Sequence, residues 1–272
     1  MGPKHQKYGV PHMHINSATR QTILAMVMAS ATGLTNAGLI DGRQLIGKWD
    51  FSNGNTLDIT GKSNGEIVGK VEIGTFGGRE AAGFLRGKSK DYIKFEDQDA
   101  YQLADGVLAI DFMQTGRWNT KEALFSKDAR GYVDGGHLTV HLLRGQSSHE
   151  GSIQVRLQSK NGSFYVNSGM LNLGQWYRME FGFGSNGMQL AVDGVVVDTN
   201  NYTGGLIGNF EDFSLGASRW ASRSGEWNRM KYGYSGYISS VGLYGATIPA
   251  PGALALLLTG GLVCTRRHRS TR

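Results

Sequence analysis

The chain has 272 residues, a formal net charge of +6, 41 glycines against 4 prolines, and one cysteine. That length allows one large or two small domains, and the lone cysteine, Cys264, excludes an intramolecular disulfide and any cysteine-built metal centre. The positive charge belongs to the ends: Lys4, Lys7 and Arg20 lie before residue 38, and Arg266, Arg267, Arg269 and Arg272 lie after residue 246, with no acid in either tail. The middle is therefore left at −1, without the basic footprint of a nucleic-acid binder.

In chain order, the first segment is read as an export leader. Arg20 precedes the apolar run Ile23-Leu24-Ala25-Met26-Val27-Met28, and two small-x-small triplets follow, Ala29-Ser30-Ala31 and Thr35-Asn36-Ala37. This is the order of a secretory signal peptide. The second triplet leaves the longer apolar region, which puts cleavage after Ala37 and the leader at residues 1–37, or from Met13 if translation starts there. The run is too short to remain as an anchor across a bilayer of about 30 Å. The other reading is an amphipathic helix of the mature domain.

Residues 38–246 alternate with period two and show almost no helical periodicity. Val107–Phe112, His137–Leu143, Ser152–Gln158 and Trp176–Phe183 are predicted strands. Met188–Val197 is a predicted hairpin turning at Asp193-Gly194, a pair suited to the positive φ angles of a type I′ turn. Glycine pairs at Gly77-Gly78, Gly135-Gly136 and Gly204-Gly205 punctuate the rest. About a dozen short strands predict an all-β, two-sheet antiparallel jelly-roll sandwich. Trp49 and Trp176, both in strands, are expected in its core.

The last segment, residues 247–272, begins with Pro249-Ala250-Pro251, which breaks any strand. It continues through apolar Ala253–Val263 and ends in Arg266-Arg267-His268-Arg269. The composition is that of a membrane-inserting tail with its arginines on the cytoplasmic side. The apolar part is short for a stable span of about 20 residues, which points to removal behind a processing motif.

Candidate chemistry is sparse. Glu96-Asp97-Gln98-Asp99 and Glu211-Asp212 place acids at consecutive positions, so they point to both faces and read as solvated turns. Retaining glycoside hydrolysis needs two carboxyls about 5–5.5 Å apart on one face. His137 and His141 share a strand face, but four-apart histidines chelate metal best on a helix. The scattered serines and histidines are those expected by chance in a glycine-rich chain and make no serine triad. The loop Asp58–Gly65 offers hard oxygen ligands for calcium, or Asp58 closes an Asx turn on its own backbone. A polar stretch, Ser218–Arg229, carries Trp220 and Trp227 among Arg219, Arg223 and Arg229, with Tyr232 and Tyr234 following. An exposed indole offers a flat apolar face to a sugar ring, and an arginine beside it forks to a uronate or sulfate. The alternative is that both tryptophans plug the end of the sandwich.

Two resemblances sharpen this reading. Trp49-Asp50-Phe51, Asp58–Gly65, Gly83–Gly87, Asp91-Tyr92-Ile93, Leu124–Asp128, Leu173–Tyr177, Leu190–Gly194 and Gly236–Tyr244 together resemble laminin G-like, concanavalin A-like domains over nearly all of residues 45–245. That resemblance implies two large sheets, one of them concave, with ligand sites on rim loops. It also implies calcium held by Asp58 and Asn64, although the second carboxylate usual in the closing strand is replaced here by Ser239 and Ser240. Pro249-Ala250-Pro251 with its apolar run and Arg266-Arg267 resembles a PEP-CTERM sorting signal, with Ala250 in place of the usual Glu. It implies handling by an exosortase and the secretion machinery, with the membrane met only through the C-terminal segment. The expectation is an exported, cell-envelope, non-catalytic module that binds extracellular polysaccharide or matrix and no nucleic acid. Its rivals are a polysaccharide hydrolase or lyase with an unfamiliar site, and a structural or adhesive protein that binds other proteins.

Overall fold

The computed structural model describes residues 38–116, 121–130, 135–144 and 150–247. The cleavage residue Ala37 and the sorting residues Pro249, Ala250, Pro251, Arg266 and Arg267 lie outside them. The described residues form β1 (Arg43–Trp49), β2 (Glu66–Val68), β3 (Glu72–Phe76), β4 (Arg79–Phe84), β5 (Tyr92–Phe95), β6 (Gly106–Gln114), β7 (Lys121–Lys127), β8 (His137–Arg144), β9 (Glu150–Ser159) and β10 (Gly162–Asn172). The series continues with β11 (Trp176–Phe183), β12 (Met188–Val192), β13 (Val195–Asn200), β14 (Phe213–Leu215) and β15 (Gly236–Thr247). They make two antiparallel sheets. One has eight strands in the order β13-β12-β11-β6-β15-β4-β3, with β1 also paired to β15; the other has seven, β10-β9-β8-β7-β14-β5-β2. The architecture is the jelly-roll sandwich that the alternation predicts.

Period-two patterning decides which residues enter the core. In β9, Ile153, Val155 and Leu157 are fully buried and pair with Leu142, Val140 and Leu138 of β8. Their core faces meet residues from the other sheet, among them Ile110, Phe112, Met179 and Phe181. Trp49 is 1% exposed, packs edge-on against Phe95 at 4.9 Å and Phe213 at 5.3 Å, and donates its indole N–H to Ser63 O at 2.8 Å. Trp176 departs from expectation. Tyr177, Met179, Phe181 and Phe183 of its strand are buried, so Trp176 alternates to the outer face, where the Arg79 guanidinium lies 4.9 Å from its ring. The β12–β13 hairpin turns at Asp193 and Gly194, with φ of 49° and 79°.

Candidate functional site

Between β14 and β15 the chain makes an excursion that is tied down at several points. Gly216, at φ 85°, starts it, and Tyr234 N–H closes it on Gly216 O at 2.8 Å. Ser218 and Lys231 exchange two backbone bonds, of 2.7 and 2.9 Å. Further out, the Ser222 hydroxyl accepts the Arg229 N–H at 3.1 Å, and Ser222 O accepts the N–H of Arg130, from beyond β7, at 2.6 Å. Buried Ser218 and Ser222 thus act as staples, and the loop presents a fixed surface.

On that surface Trp220 is 45% exposed. It borders a groove of about 700 Å³ lined also by Arg130, Ala221, Arg229, Met230 and Lys231. An adjoining recess of about 270 Å³ shares Arg130, Ala221 and Arg229 and adds Arg223, Glu226 and Asn228. The Lys231 ammonium lies 5.5 Å from the Trp220 ring. Among the described residues no carboxylate forms an ion pair with Arg130, Arg223, Arg229 or Lys231. Four cations face one carboxylate, Glu226, whose Oε2 accepts Asn228 Nδ2–H at 2.8 Å. The arrangement suits a ligand with an apolar ring face and negative charge.

The other predicted contact residues divide. Arg223 joins the recess. Arg219 does not: it is fully buried, pairs with Glu211 at 3.2 Å and donates to Asp212 O at 2.6 Å. Burial drags its guanidinium below the usual range, against the pull of Glu211 and Asp212. Glu211 is correspondingly 2% exposed, not solvated. Trp227 stacks on Tyr92 at 5.5 Å and 5°, with the Arg219 guanidinium 4.1 Å from its ring. It lines a separate recess of about 120 Å³ with Asn64 and Asp212, so the two tryptophans do not make a joint platform. Tyr234 is 1% exposed, and its hydroxyl donates to Met113 O at 2.8 Å; burial pushes that hydroxyl well above its usual pKa. Tyr232 is half-buried at the inner end of the excursion. Arg130, Met230 and Lys231 were not singled out in the sequence. Lys231 follows the arginine-rich stretch and was findable, whereas Arg130 reaches the groove through a bridge to Arg223 that no local pattern announces.

The loop expected to hold calcium is held by its own backbone. Asp58 is buried. Its Oδ1 accepts the N–H groups of Lys48 at 3.1 Å and Thr60 at 2.8 Å, and its Oδ2 those of Lys62 at 3.0 Å and Ser63 at 3.2 Å. Burial would raise this carboxyl, but the N–H groups of Lys48, Thr60 and Lys62 and the Thr60 hydroxyl outweigh it and hold it below the usual range. Asn64 turns its Oδ1 to the Asp58 N–H at 3.0 Å. Both Asp58 oxygens thus accept N–H donors of the loop, the bonding of an Asx turn.

Residues 88–250 match the concanavalin A-like lectin/glucanases superfamily. The match begins after β4, so the opening strands lie before it. No curated protein matches the chain in sequence. Among solved structures, domain 4 of AbnA, an extracellular arabinanase from Geobacillus stearothermophilus solved with arabinotriose, is similar with a TM-score of 0.56 at 16% identity, covering 77% of this chain and 96% of that domain. The binding domain of botulinum neurotoxin DC in complex with SialylT is similar with a TM-score of 0.52 at 12% identity. That likeness covers 81% of this chain and 52% of the toxin domain, so the chain spans about half its length. At these identities the likeness is one of fold.

Proposed function

The chain belongs to the concanavalin A-like lectin/glucanases superfamily, and we propose that it is a non-catalytic glycan-recognition module, exported and held at the cell envelope. The observation that carries this reading is exposed Trp220 at the edge of a groove that, with its adjoining recess, gathers four cations in no ion pair among the described residues. An indole face packs on the C–H face of a sugar ring, and arginine forks to a carboxylate or sulfate, so the preferred ligand is an acidic polysaccharide. One domain that shares the fold was solved with a glycan, the neutral trisaccharide arabinotriose. Glu226 is the single carboxylate lining the groove and its recess among the described residues, whereas glycoside hydrolysis ordinarily uses two. Export and delivery by an exosortase rest on the leader and on the Pro249-Ala250-Pro251 tail.

The test is a glycan array with the full chain, run with calcium and with a chelator. Binding to uronate- or sulfate-bearing glycans, lost in Trp220→Ala, is expected. Binding to no glycan would end this reading in favour of protein contact, and release of new reducing ends would favour the hydrolase.

A further inference from the structure

At one end of the seven-stranded sheet, three neighbouring strands bring an amine and a carboxyl into contact away from water. Lys127, the last residue of β7, stands opposite Leu138 of β8, a core residue, and directly opposed residues share a face of the sheet. The Lys127 side chain is 2% exposed. Its Nζ donates to Asp97 Oδ1 at 2.5 Å and to the backbone carbonyl of Glu211. Asp97 lies two positions beyond Phe95, the end of β5, and Glu211 two positions before Phe213, the start of β14. Because β14 runs between β7 and β5, Lys127 reaches across the end of one strand to the end of the next. The Asp97 side chain is 14% exposed, so it is not the solvated turn residue that its run of acids suggests.

The surroundings hold both partners in place. Asn209 Nδ2 donates to Lys127 O at 3.0 Å, and Asn209 Oδ1 accepts the Glu211 N–H at 2.9 Å. The Asp97 N–H donates to Asp212 Oδ1 at 2.9 Å. With Nζ 2.5 Å from Oδ1, the Asp97 Cγ is one C–O bond farther on, roughly 3–3.5 Å away, which is the separation of a near-attack pair. Burial draws the Lys127 amine below its usual range, against the pull of Asp97, Asp212 and Glu211, and so favours the neutral, nucleophilic form. A buried ion pair keeps the cost of desolvating two charges; an amide carries neither charge.

We propose that Lys127 and Asp97 are a self-modification site, at which the folded chain joins them through an intramolecular amide bond that clasps β7 to the end of β5. Lys127 Nζ attacks Asp97 Cγ. The Nζ–Cγ bond forms, one Cγ–O bond breaks, and the departing oxygen takes two of the three ammonium protons as water. An ammonium and a carboxylate thus become one neutral amide and one water, with no electrons to supply or remove. Asp212, whose carboxylate holds the Asp97 N–H and acts on the Lys127 charge, is placed to carry the protons from Nζ to the leaving oxygen. The bond needs no oxidant and no second cysteine, and Cys264 is the only cysteine of the chain.

The test is intact mass spectrometry of the full chain after denaturation, against the mass that its observed ends dictate. Expected is a mass short by one water. Trypsin should then fail to cut after Lys127, because an acylated lysine is no longer its site. Residues 95–117 should appear joined to residues 122–130 as one branched peptide. Lys127→Met and Asp97→Ala should each show the full mass of their sequences, and in Asp212→Asn a fraction of the chains should keep it. Complete joining in Asp212→Asn would take the proton route away from Asp212. A parent chain of full mass, a cut after Lys127, a missing water that maps to other residues, or a water still lost from Lys127→Met would overturn the bond and leave Lys127 and Asp97 a buried ion pair.

Discussion

Single residues in the excursion after β14 have opposite jobs within a few positions of one another. Arg219→Ala strands Glu211, buried and charged, and should cost about 3–5 kcal/mol of stability. Arg223→Ala removes a cation from the rim of the recess and should change stability by no more than about 0.5 kcal/mol while weakening glycan binding. Urea unfolding of the two variants checks the contrast, and equal losses would contradict it. Trp227→Ala belongs with Arg219, because it removes the stack on Tyr92 and the ring beside the guanidinium; Trp220→Ala belongs with Arg223. His141 adds a pH signature. Its folded pKa lies well below 6.5, chiefly through burial and also through Lys121 and Arg156, with Asp128 beyond Arg156. Unfolding therefore takes up a proton once the pH drops below the unfolded value of about 6.5. Stability is fully present above that pH and should fall by about 1.4 kcal/mol per pH unit below it, until the folded form protonates. His141→Gln should remove this part of the slope between about pH 6.5 and 5.

At the scale of elements, strands were legible and their connections were not. β6, β8, β9 and β11 follow from alternation because a strand with one buried face writes that face into every second residue. The same rule places Trp176 outside, since Tyr177, Met179 and Phe181 hold the buried parity; expecting Trp176 in the core rested on its lying in a strand and left out the register. The Asp193-Gly194 turn was readable because its requirement is local, two positive φ angles. The groove was half readable. Its tryptophan and Arg223 stand in one polar run, but Tyr234 goes inward to a partner distant in sequence, Met113, and Arg219 to Glu211, whose backbone is itself held by Lys127 of β7. The turn glycines give a test of local against long-range constraint. Gly194→Ala meets nothing within 4 Å and carries only the strain of φ 79°, so it should cost about 1–2 kcal/mol. Gly216→Ala has φ 85° and would set a Cβ 2.1 Å from Phe84 Cε1. It should cost several times more in thermal unfolding, and it should also misplace Trp220 and weaken binding.

At the scale of the molecule, the overall charge misleads. The +6 of the sequence comes from tails outside the described residues, and the middle is near neutral, yet Arg130, Arg223, Arg229 and Lys231 converge on the groove and its adjoining recess. A field of that kind is local, set by which side chains the excursion brings together, and it works over roughly one screening length, about 10 Å at 0.1 M salt and 3 Å at 1 M. Binding of a uronate- or sulfate-bearing glycan should therefore weaken steadily as sodium chloride rises across that range. Glu226 supplies the internal control. It is the carboxylate that opposes the four cations, so Glu226→Gln should tighten binding of the acidic glycan at low salt and steepen the salt dependence, with little change in stability because Glu226 is exposed. Calorimetric titrations at several salt concentrations on the parent chain and Glu226→Gln would measure both slopes. An acidic glycan whose affinity ignores salt, or a Glu226→Gln chain that binds it more weakly, would show that charge in this groove does not select the ligand.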